Sequence, residues 1–438
     1  MRAIGLDIGT TTISAVVVDL EQGKAEKAYT IENGSFISAE ESWGKIQDPE
    51  VIVQKAKELL DKILISYDHV QWIGLTGQMH GIVYTDKEGK HISPLYTWQD
   101  GSGDHPCFDG ESVCTLMKKK YGMKVFTGYG LVTHLYHVWK DLVPEHAAKI
   151  CTISDYLGMV LTGRKEPYMH SSNAASLGFF DVQNACFMVK RLEELEVSEK
   201  ILPKVTDSYE RIGSYQGIPV MTAIGDNQAS FLGSVREPEK SILVNMGTGG
   251  QISVLSDQYC TGDGIETRPF NEGRYLIAGA SLCGGRAYAM LENFFKMYTK
   301  AAGIQGIDHY GVMAELLKDE DLDDSAEELK ITTTFSGTRE NPDQRGEITN
   351  IGVNNLTPGA VISGVLHGMA EELYEMYSQI DKSVVENKTV MVASGNGIRK
   401  NVYLQRIMEK KFKMKLQIAE NKEEAAYGAA MTGIKFTH

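Results

Sequence analysis

Blocks of apolar residues near the start of the chain alternate with polar turns and indicate an α/β fold. Strands are predicted over residues 3–8 and 13–20, with the turn Gly9–Thr12 between them. Residues 49–65 carry apolar side chains at helical spacing, and the apolar run 70–75 predicts a buried strand. Strands that alternate with helices in this way are typical of α/β proteins.

A second strand–turn–strand pattern, in the middle of the chain, repeats the first. Residues 242–250 can be set beside residues 4–12 without a gap. The alignment pairs Asp7 with Asn245, Gly9 with Gly247, and Thr10 with Thr248. A repeat at about half the chain length predicts two related domains rather than a short-period solenoid.

The length of the chain agrees with this division. Its 438 residues are enough for two or three domains of about 150 residues each. Gly213, Gly217 and Pro219 interrupt the pattern before a new apolar run begins. We therefore expect an N-terminal domain over residues 1–218 and a C-terminal domain over residues 219–438.

Composition and charge narrow the class of protein. Hydrophobic residues make up 42% and charged residues 23%, which is typical of a globular protein and excludes disordered and fibrous classes. The net charge of −14 disfavours a general binder of nucleic acid or anionic membranes. The six cysteines show no CxxC pair and predict free thiols. Because the start lacks a leader-like segment and no apolar run reaches about 18 residues, we expect a cytoplasmic location.

Two turns rich in glycine and threonine, at residues 7–11 and 245–250, are candidate phosphate sites. Glycine lets backbone N–H groups approach a ligand closely, and such groups can bind phosphate oxygens together with threonine hydroxyls. Asp7, at a strand end, could bind Mg²⁺ directly or through water. An ordinary hairpin turn is the alternative for each. Neither turn is a P-loop or a dinucleotide-binding turn, because the required glycine and lysine spacings are absent.

A candidate general base follows the apolar run 219–224. There, Asp226 stands between Gly225 and Asn227, immediately before a segment that begins like a helix. A carboxylate at such an edge can accept the proton of an attacking hydroxyl during phosphoryl transfer. A helix N-cap is the structural alternative for the same aspartate.

Two further segments offer groups that suit a polyhydroxylated ligand. Gln78, Met79 and His80 follow the predicted strand 70–75, at the carboxyl end where ligands usually bind in α/β sheets. Residues 98–100 supply an aromatic face, an amide and a carboxylate. Dense hydrogen bonding and a stacking surface are what a sugar requires, although a single histidine or tryptophan is more often structural.

A third glycine-rich turn lies near the C-terminus. The apolar strand 390–393 ends at Ser394–Gly397, and Asn401 stands just beyond it. A glycine-rich turn lets the backbone lie against a flat purine. An ordinary turn is again the alternative.

Taken in order, these motifs resemble those of the FGGY carbohydrate kinase family over essentially the whole chain. Five segments match the family's motifs: residues 7–11, 225–227, 245–248, 394–397 with Asn401, and 424–430. The resemblance implies two ribonuclease-H-like α/β domains of the actin/hexokinase/heat-shock ATPase fold with an interdomain cleft. It also implies that ATP, with Mg²⁺, phosphorylates a terminal hydroxyl of a ketose.

The resemblance also implies roles for individual residues. Asp226 is the expected catalytic base, and Asp7 is the expected Mg²⁺ ligand. The expected sugar contacts are Gln78, Met79, His80, Trp98, Asp100, Asn173 and Asn227. The expected ATP contacts are Gly9, Thr10, Thr11, Gly247, Thr248, Gly249, Gly284, Gly285, Gly395, Asn396 and Asn401.

Within the family, the chain is most similar to the members that convert sedoheptulose to sedoheptulose 7-phosphate. The similarity is carried by residues 77–81, 97–101, 127–130, 173–176, 225–230 and 281–285. Members that act on xylulose also carry the Gln-Met-His element, so xylulose, another ketose or a polyol remains an alternative substrate. One departure is Ser102, where many relatives have arginine.

An alternative of a different class is a non-catalytic, nucleotide-binding scaffold or sensor on the actin-like fold. Asp226 favours the kinase, because a scaffold needs no base at that position. The expected partners are the sugar and ATP, without nucleic acid or membrane. Whether the chain forms a homodimer is left open.

Overall fold

A computed structural model of the protein describes residues 1–318, 329–339 and 341–434. The chain divides into two units by its internal contacts. The first unit contains residues 1–234 and 268–274 and the chain from Asn421 onward. The second unit contains residues 235–267 and 275–420.

The first unit combines a large sheet with helices and several short strand pairs. Its strands are β1 (Arg2–Ile8), β2 (Thr12–Asp19), β3 (Lys24–Glu32), β4 (Phe36–Ile37), β5 (Ile46–Gln47), β6 (Val70–Gly77), β7 (Val83–Thr85), β8 (Leu95–Tyr96), β9 (Pro106–Phe108), β10 (Glu111–Ser112), β11 (Lys149–Cys151), β12 (Tyr168–His170), β13 (Phe180–Asp181), β14 (Cys186–Phe187), β15 (Lys204–Thr206), β16 (Arg211–Tyr215), β17 (Ile218–Met221) and β18 (Ile224–Gly225). Its helices before residue 235 are α1 (Pro49–Ser66), α2 (Val113–Tyr121), α3 (Gly130–Trp139), α4 (Ile153–Thr162), α5 (Ser171–Ser176), α6 (Val189–Glu194) and α7 (Asp226–Ser234). Short 3₁₀ helices cover Ser102–Asp104 and Glu199–Ile201.

The second unit is built around one sheet and its own helices. Its strands are β19 (Ser241–Met246), β20 (Gly250–Ser256), β21 (Ile265–Asn271), β22 (Arg274–Ser281), β23 (Lys330–Ile331), β24 (Ile348–Thr349), β25 (Val390–Ser394) and β26 (Lys415–Ile418). Residues 268–271 of β21 and Arg274 of β22 are counted with the first unit. Its helices are α8 (Gly284–Ala301), α9 (His309–Leu316), α10 (Pro358–Ser378), α11 (Lys382–Val385), α12 (Asn396–Arg399) and α13 (Val402–Phe412). Helix α14 (Glu424–Met431) follows and belongs to the first unit.

The two main sheets share a topology. In the first, the order is β16-β17-β6-β1-β2-β3, with β18 also paired to β6. Strand β1 pairs antiparallel with β2 and parallel with β6. In the second, read in the opposite direction, the order is β26-β25-β19-β20-β22-β21. Strand β19 takes the place of β1, because it likewise pairs antiparallel with the next strand, β20, and parallel with β25. This match confirms the duplicated architecture that the repeated turns predict.

Helix α14 packs closely on the first sheet because glycine lines the contact. A Cβ atom at Gly5 would lie 1.8 Å from the carbonyl oxygen of Ala426, and one at Gly74 would lie 1.8 Å from that of Ala429. The indole of Trp72 also donates to the carbonyl of Ala430 at 2.7 Å. The C-terminal segment therefore completes the N-terminal unit rather than the second one.

The division between the units falls after Ser234, whereas the sequence places it near residue 218. Strand β17 pairs with β6, β18 also pairs with β6, and α7 packs against α14. These pairings join residues 218–234 to the first sheet. The glycine and proline signals near 218 mark a turn between β16 and β17 within one unit.

Each unit has its own hydrophobic core. In the first, buried apolar residues come from β1, β2, β6 and α1. In the second, the buried residues come from β19, β20, β25, α10 and α13. The six cysteines are all free thiols. Among the described residues, no helix is both long and apolar enough to cross a membrane.

Candidate functional site

The carboxyl ends of three neighbouring strands bring the predicted base and the predicted metal ligand to one edge of the first sheet. In the parallel register, Asp7 lies opposite Thr76 on β6, and Thr76 lies opposite Ile224 on β18. Asp226 follows β18 directly as the first residue of α7. It therefore stands inside the helix rather than at the flanking N-cap position.

The carboxyl groups of Asp7 and Asp226 lie in surroundings that favour their neutral, protonated forms. Burial raises the pKa of Asp226 to about 6, although the nearby Arg268 guanidinium and the Asn227 backbone N–H act in the opposite direction. Burial also raises the pKa of Asp7 to about 7, and the charges of Asp226 and Glu423 add to the rise. Both side chains keep partial solvent exposure. A carboxylate that is both accessible and poised near neutral pH suits a general base.

The first glycine–threonine turn is linked to the predicted sugar loops. The Thr10 hydroxyl donates to Oε1 of Gln78 at 3.3 Å and accepts from Nε1 of Trp98 at 3.0 Å. Gln47 fixes the same turn, because its amide donates to the carbonyl of Thr10 and accepts from Gln78, both at 2.8 Å. Asn33 donates to the carbonyl of Gly9 at 2.7 Å. Sequence reasoning missed Gln47 and Asn33, which carry no motif of their own.

Met79 and Asn227 lie beside the candidate base. The Asn227 amide donates to Oδ1 of Asp226 at 3.1 Å and contacts the Met79 sulfur at 3.6 Å. Met79 is buried, and a Cβ atom at Gly225 would lie 2.7 Å from its sulfur, so its side chain packs closely on Gly225. These contacts bring two of the predicted sugar residues together with Asp226.

His80 occupies a strained position on the adjoining loop. Its φ is 74°, and its backbone N–H donates to the Ser176 hydroxyl at 3.0 Å. Its ring stacks on Tyr129 with centroids 4.7 Å apart, and Nδ1 lies 2.8 Å from the carbonyl oxygen of Ser176. A left-handed backbone at a residue other than glycine costs free energy, and the surrounding contacts hold it in place.

Two other predicted sugar residues are buried. Asp100 is only 3% exposed, and its carboxylate accepts the backbone N–H groups of Ser102 at 3.0 Å and Lys45 at 3.4 Å. Asn173 is fully buried, and its amide donates to the carbonyl of Ala223 at 3.3 Å. Both side chains therefore bind backbone groups in the interior. Trp98, by contrast, is 47% exposed.

The second glycine–threonine turn packs against the start of α8. The backbone N–H of Gly285 donates to the carbonyl of Gly247 at 2.9 Å, and that of Arg286 donates to the carbonyl of Thr248 at 3.0 Å. A Cβ atom at Gly284 would lie 2.4 Å from the backbone of Gly249. The predicted residues of this turn and helix therefore form one compact backbone element in the second unit.

The third turn packs beside the same element, and the two line one cavity. Gly395 has a φ of 85°, and a Cβ atom there would lie 2.6 Å from the carbonyl oxygen of Met246. Asn401 caps α13 by accepting the backbone N–H groups of Tyr403 and Leu404. The cavity has a volume of about 910 Å³. Its lining includes Gly247, Thr248, Gly285, Gly395, Asn396 and Asn401.

Sequence reasoning missed an aromatic wall and two cations at this cavity. The rings of Tyr288 and Tyr310 stack with centroids 5.7 Å apart and planes inclined by 23°. Burial and the neighbouring Tyr310 raise the pKa of Tyr288 to about 12, so it stays neutral. Arg286 and Lys400 also line the cavity. Tyr288 follows Gly284 by one helical turn, which is the one local signal that could have identified it.

Comparison with known proteins assigns both units. Residues 2–233 match the model of the N-terminal domain of the FGGY family of carbohydrate kinases, and residues 242–435 match the model of its C-terminal domain. Sedoheptulokinase of Mus musculus is 26% identical over an alignment of 473 positions, gaps included, which covers 98% of this chain and 96% of that protein. Xylulose kinase of Staphylococcus xylosus is 24% identical over an alignment of 471 positions, gaps included, which covers 98% of this chain and 89% of that protein.

A solved structure supports the same fold. The crystal structure of xylulose kinase from Rhodospirillum rubrum superposes with a TM-score of 0.83 at 20% identity and covers 100% of this chain and 90% of that one. The predicted α/β fold with two domains of the actin/hexokinase type is thereby confirmed.

Proposed function

The chain belongs to the FGGY family of carbohydrate kinases, and we propose that it phosphorylates the terminal hydroxyl of sedoheptulose with ATP to give sedoheptulose 7-phosphate. The observation that carries the reaction is the position of Asp226, a half-buried carboxylate at a strand end beside the loop of Met79 and Asn227. As a member of this family, the chain is a phosphotransferase that acts on a carbohydrate. The scaffold alternative is therefore not favoured.

In this proposal, Asp226 accepts the proton of the terminal sugar hydroxyl as its oxygen attacks the γ-phosphorus of ATP. One P–O bond forms to the sugar, the bond to the β-phosphate oxygen breaks, and ADP leaves with the electron pair. Burial raises the pKa of Asp226 to about 6, so the carboxylate is ionised at neutral pH yet remains a competent base. Met79 and Asn227 shape the space in front of it.

The nucleotide is assigned to the cavity of the second unit. Its glycine-rich backbone, formed by residues around 247, 285 and 395, permits close approach of phosphates and a purine. The stacked pair Tyr288 and Tyr310 supplies a flat apolar surface for the base. Arg286 and Lys400 supply positive charge for the polyphosphate.

Asp7 fits a role as the Mg²⁺ ligand. The charges of Asp226 and Glu423 act on it, and a divalent cation would relieve that repulsion. No group of three or more His, Cys, Asp or Glu side chains among the described residues could enclose a metal. Mg²⁺ usually binds through one or two carboxylates, water and substrate phosphates, which matches a site of this kind. When bound, the ion would neutralise charge on the transferred phosphoryl group.

Sedoheptulose is favoured over xylulose because the sedoheptulokinases of mouse and human are both 26% identical and are matched over 96% and 97% of their own length. Xylulose remains the second candidate, because a xylulose kinase matches 98% of the chain at 24% identity. A coupled assay of ADP release over a panel of ketoses and polyols tests the proposal. A kcat/KM that is highest for sedoheptulose supports it, and a higher value for xylulose or a polyol contradicts the substrate while leaving the kinase class intact.

A further inference from the structure

The segment just before Asp226, residues 223–225, makes few strand-pairing hydrogen bonds. Strand β18 contains only Ile224 and Gly225, and it pairs on one side with β6. A general base must nevertheless stay within hydrogen-bond reach of the substrate hydroxyl, because small displacements lower the rate steeply. Something besides the strand ladder is needed to fix this position.

Three side chains from other elements bind the backbone of the three residues before Asp226. The amide of Asn173 donates to the carbonyl of Ala223 at 3.3 Å. The hydroxyl of Thr76 donates to the carbonyl of Ile224 at 2.8 Å. The backbone N–H of Gly225 donates to the hydroxyl of Ser172 at 2.9 Å.

These three side chains are themselves buried. Thr76 and Asn173 have no solvent exposure, and Ser172 is 1% exposed. Away from water, a hydrogen bond to backbone is costly to break, because the freed polar group has no replacement partner. The three contacts therefore fix the segment more firmly than the same bonds would at the surface.

Ser172 and Asn173 are hydrogen-bonded in turn to further buried side chains, and these bonds determine which group donates each proton. Because Nδ1 of His170 accepts the backbone N–H of Ser172, the Ser172 hydroxyl, 2.8 Å from the same nitrogen, donates its proton to it. The backbone N–H of Ser172 donates to the same Nδ1 at 3.2 Å, so His170 is the neutral acceptor. Asn173 is held in turn by Oδ2 of Asp155 at 3.4 Å, which also accepts from Thr152 at 2.6 Å.

We infer that Thr76, Ser172 and Asn173 are positioning residues that hold Asp226 in its catalytic place through the backbone of residues 223–225. The inference rests on the proposed function, in which Asp226 is the base. It gives Asn173 a supporting role behind the base instead of the sugar contact that the sequence suggests.

The sharpest test is the pair of variants Thr76→Val and Thr76→Ser. Valine keeps the shape of threonine but cannot donate to the carbonyl of Ile224, whereas serine keeps the hydroxyl. We expect Thr76→Val to lower kcat at least about tenfold while both KM values change by less than about twofold, and Thr76→Ser to restore most of the rate. Thr432→Val is the matched control, because it removes a buried hydroxyl bond of 2.7 Å to Ala429 in the same unit.

Coupling to Asp226 separates positioning from general destabilisation. If the network acts through the base, Thr76→Val should add nothing in an Asp226→Asn background, because the affected group is already absent. Equal losses for the valine and serine variants, a comparable loss for Thr432→Val, or full additivity with Asp226→Asn would each overturn the inference. If Thr76→Val does not fold, Ser172→Ala serves in its place, and a normal kcat in that variant would also overturn it.

The design distinguishes two kinds of failure. Near-normal turnover of Asp226→Asn would remove the proposed base, and the positioning inference would fall with it. An inactive Asp226→Asn together with a fully active, folded Thr76→Val would overturn the positioning inference alone.

Discussion

Replacement of Asp226 by asparagine should separate activity from stability. The substitution keeps the size of the side chain and an oxygen that can accept from the Asn227 amide, now 3.1 Å from Oδ1. It removes the ability to take a proton. Loss of a general base lowers the rate by about 10² to 10⁴, so kcat should fall by that factor while ADP affinity stays unchanged.

The same variant should be more stable at alkaline pH. Burial raises the pKa of Asp226 from 3.8 to about 6, so the folded protein holds the proton more tightly than the unfolded chain. As pH rises from about 3.8 through about 6, ionisation of Asp226 lowers the free energy of unfolding of the wild-type protein. Asparagine does not ionise, so the variant does not lose this stability. At about 1.4 kcal/mol for each tenfold change in the ionisation constant, full burial would cost about 3 kcal/mol. Because the side chain is partly exposed, water reduces the cost, and we expect about 1–2 kcal/mol.

Urea unfolding at pH 8 and pH 5, with an ADP-release assay, measures both effects. The midpoint of Asp226→Asn should exceed that of wild type at pH 8, and the excess should shrink at pH 5. Asp68→Asn, at an exposed position of the same unit, is the control and should change neither midpoint nor rate. An unchanged or lower midpoint at pH 8 would refute the argument from buried charge, and near-normal turnover would refute the assignment of the base.

Three further predictions concern the nucleotide, the sugar and acid stability. A Cβ atom at Gly247 would have no close contact, because the nearest atom, the side-chain Oδ1 of Asn245, lies 3.8 Å away. Gly247→Val should therefore fold, and it should weaken ADP binding by obstructing the approach of phosphate. Calorimetry that shows unchanged affinity would exclude this turn as a phosphate site. When the two sugars compete directly, kcat/KM for sedoheptulose should exceed that for xylulose. A pocket that hydrogen-bonds the extra hydroxyls of sedoheptulose would have unpaired polar groups when the shorter xylulose is bound. The opposite order of kcat/KM would contradict the substrate assignment. Burial lowers the pKa of His134 to about 4, so the unfolded chain binds a proton below about 6.5 that the folded protein excludes, and stability falls as pH drops through that window. His134→Asn, which can keep a partner for Tyr84, should show a smaller drop in urea midpoint between pH 7 and pH 4.5, and an equal drop would contradict the role of this histidine.

The sequence alone determined the elements that depend on consecutive residues. The strand–turn–strand motif at residues 2–19, its repeat at residues 241–256 and the helix that begins at Pro49 all follow from local patterns of apolar residues, glycine and proline. The placement of Asp7 and Asp226 at strand ends follows in the same way. That these two carboxylates meet was shown only by the fold, in which the parallel register of β1, β6 and β18 brings their carboxyl ends to one edge.

Tertiary structure decided what each side chain faces. Asp100 and Asn173 have the polar character of sugar ligands, yet folding buries both against backbone groups. The stacking of Tyr288 on Tyr310 joins two helices and has no signature in consecutive residues. The C-terminal helix α14 joins the first sheet because glycine on β1 and β6 leaves room for its backbone. Such contacts depend on packing between segments far apart in the chain, and local residue patterns carry no information on which distant surface will cover them.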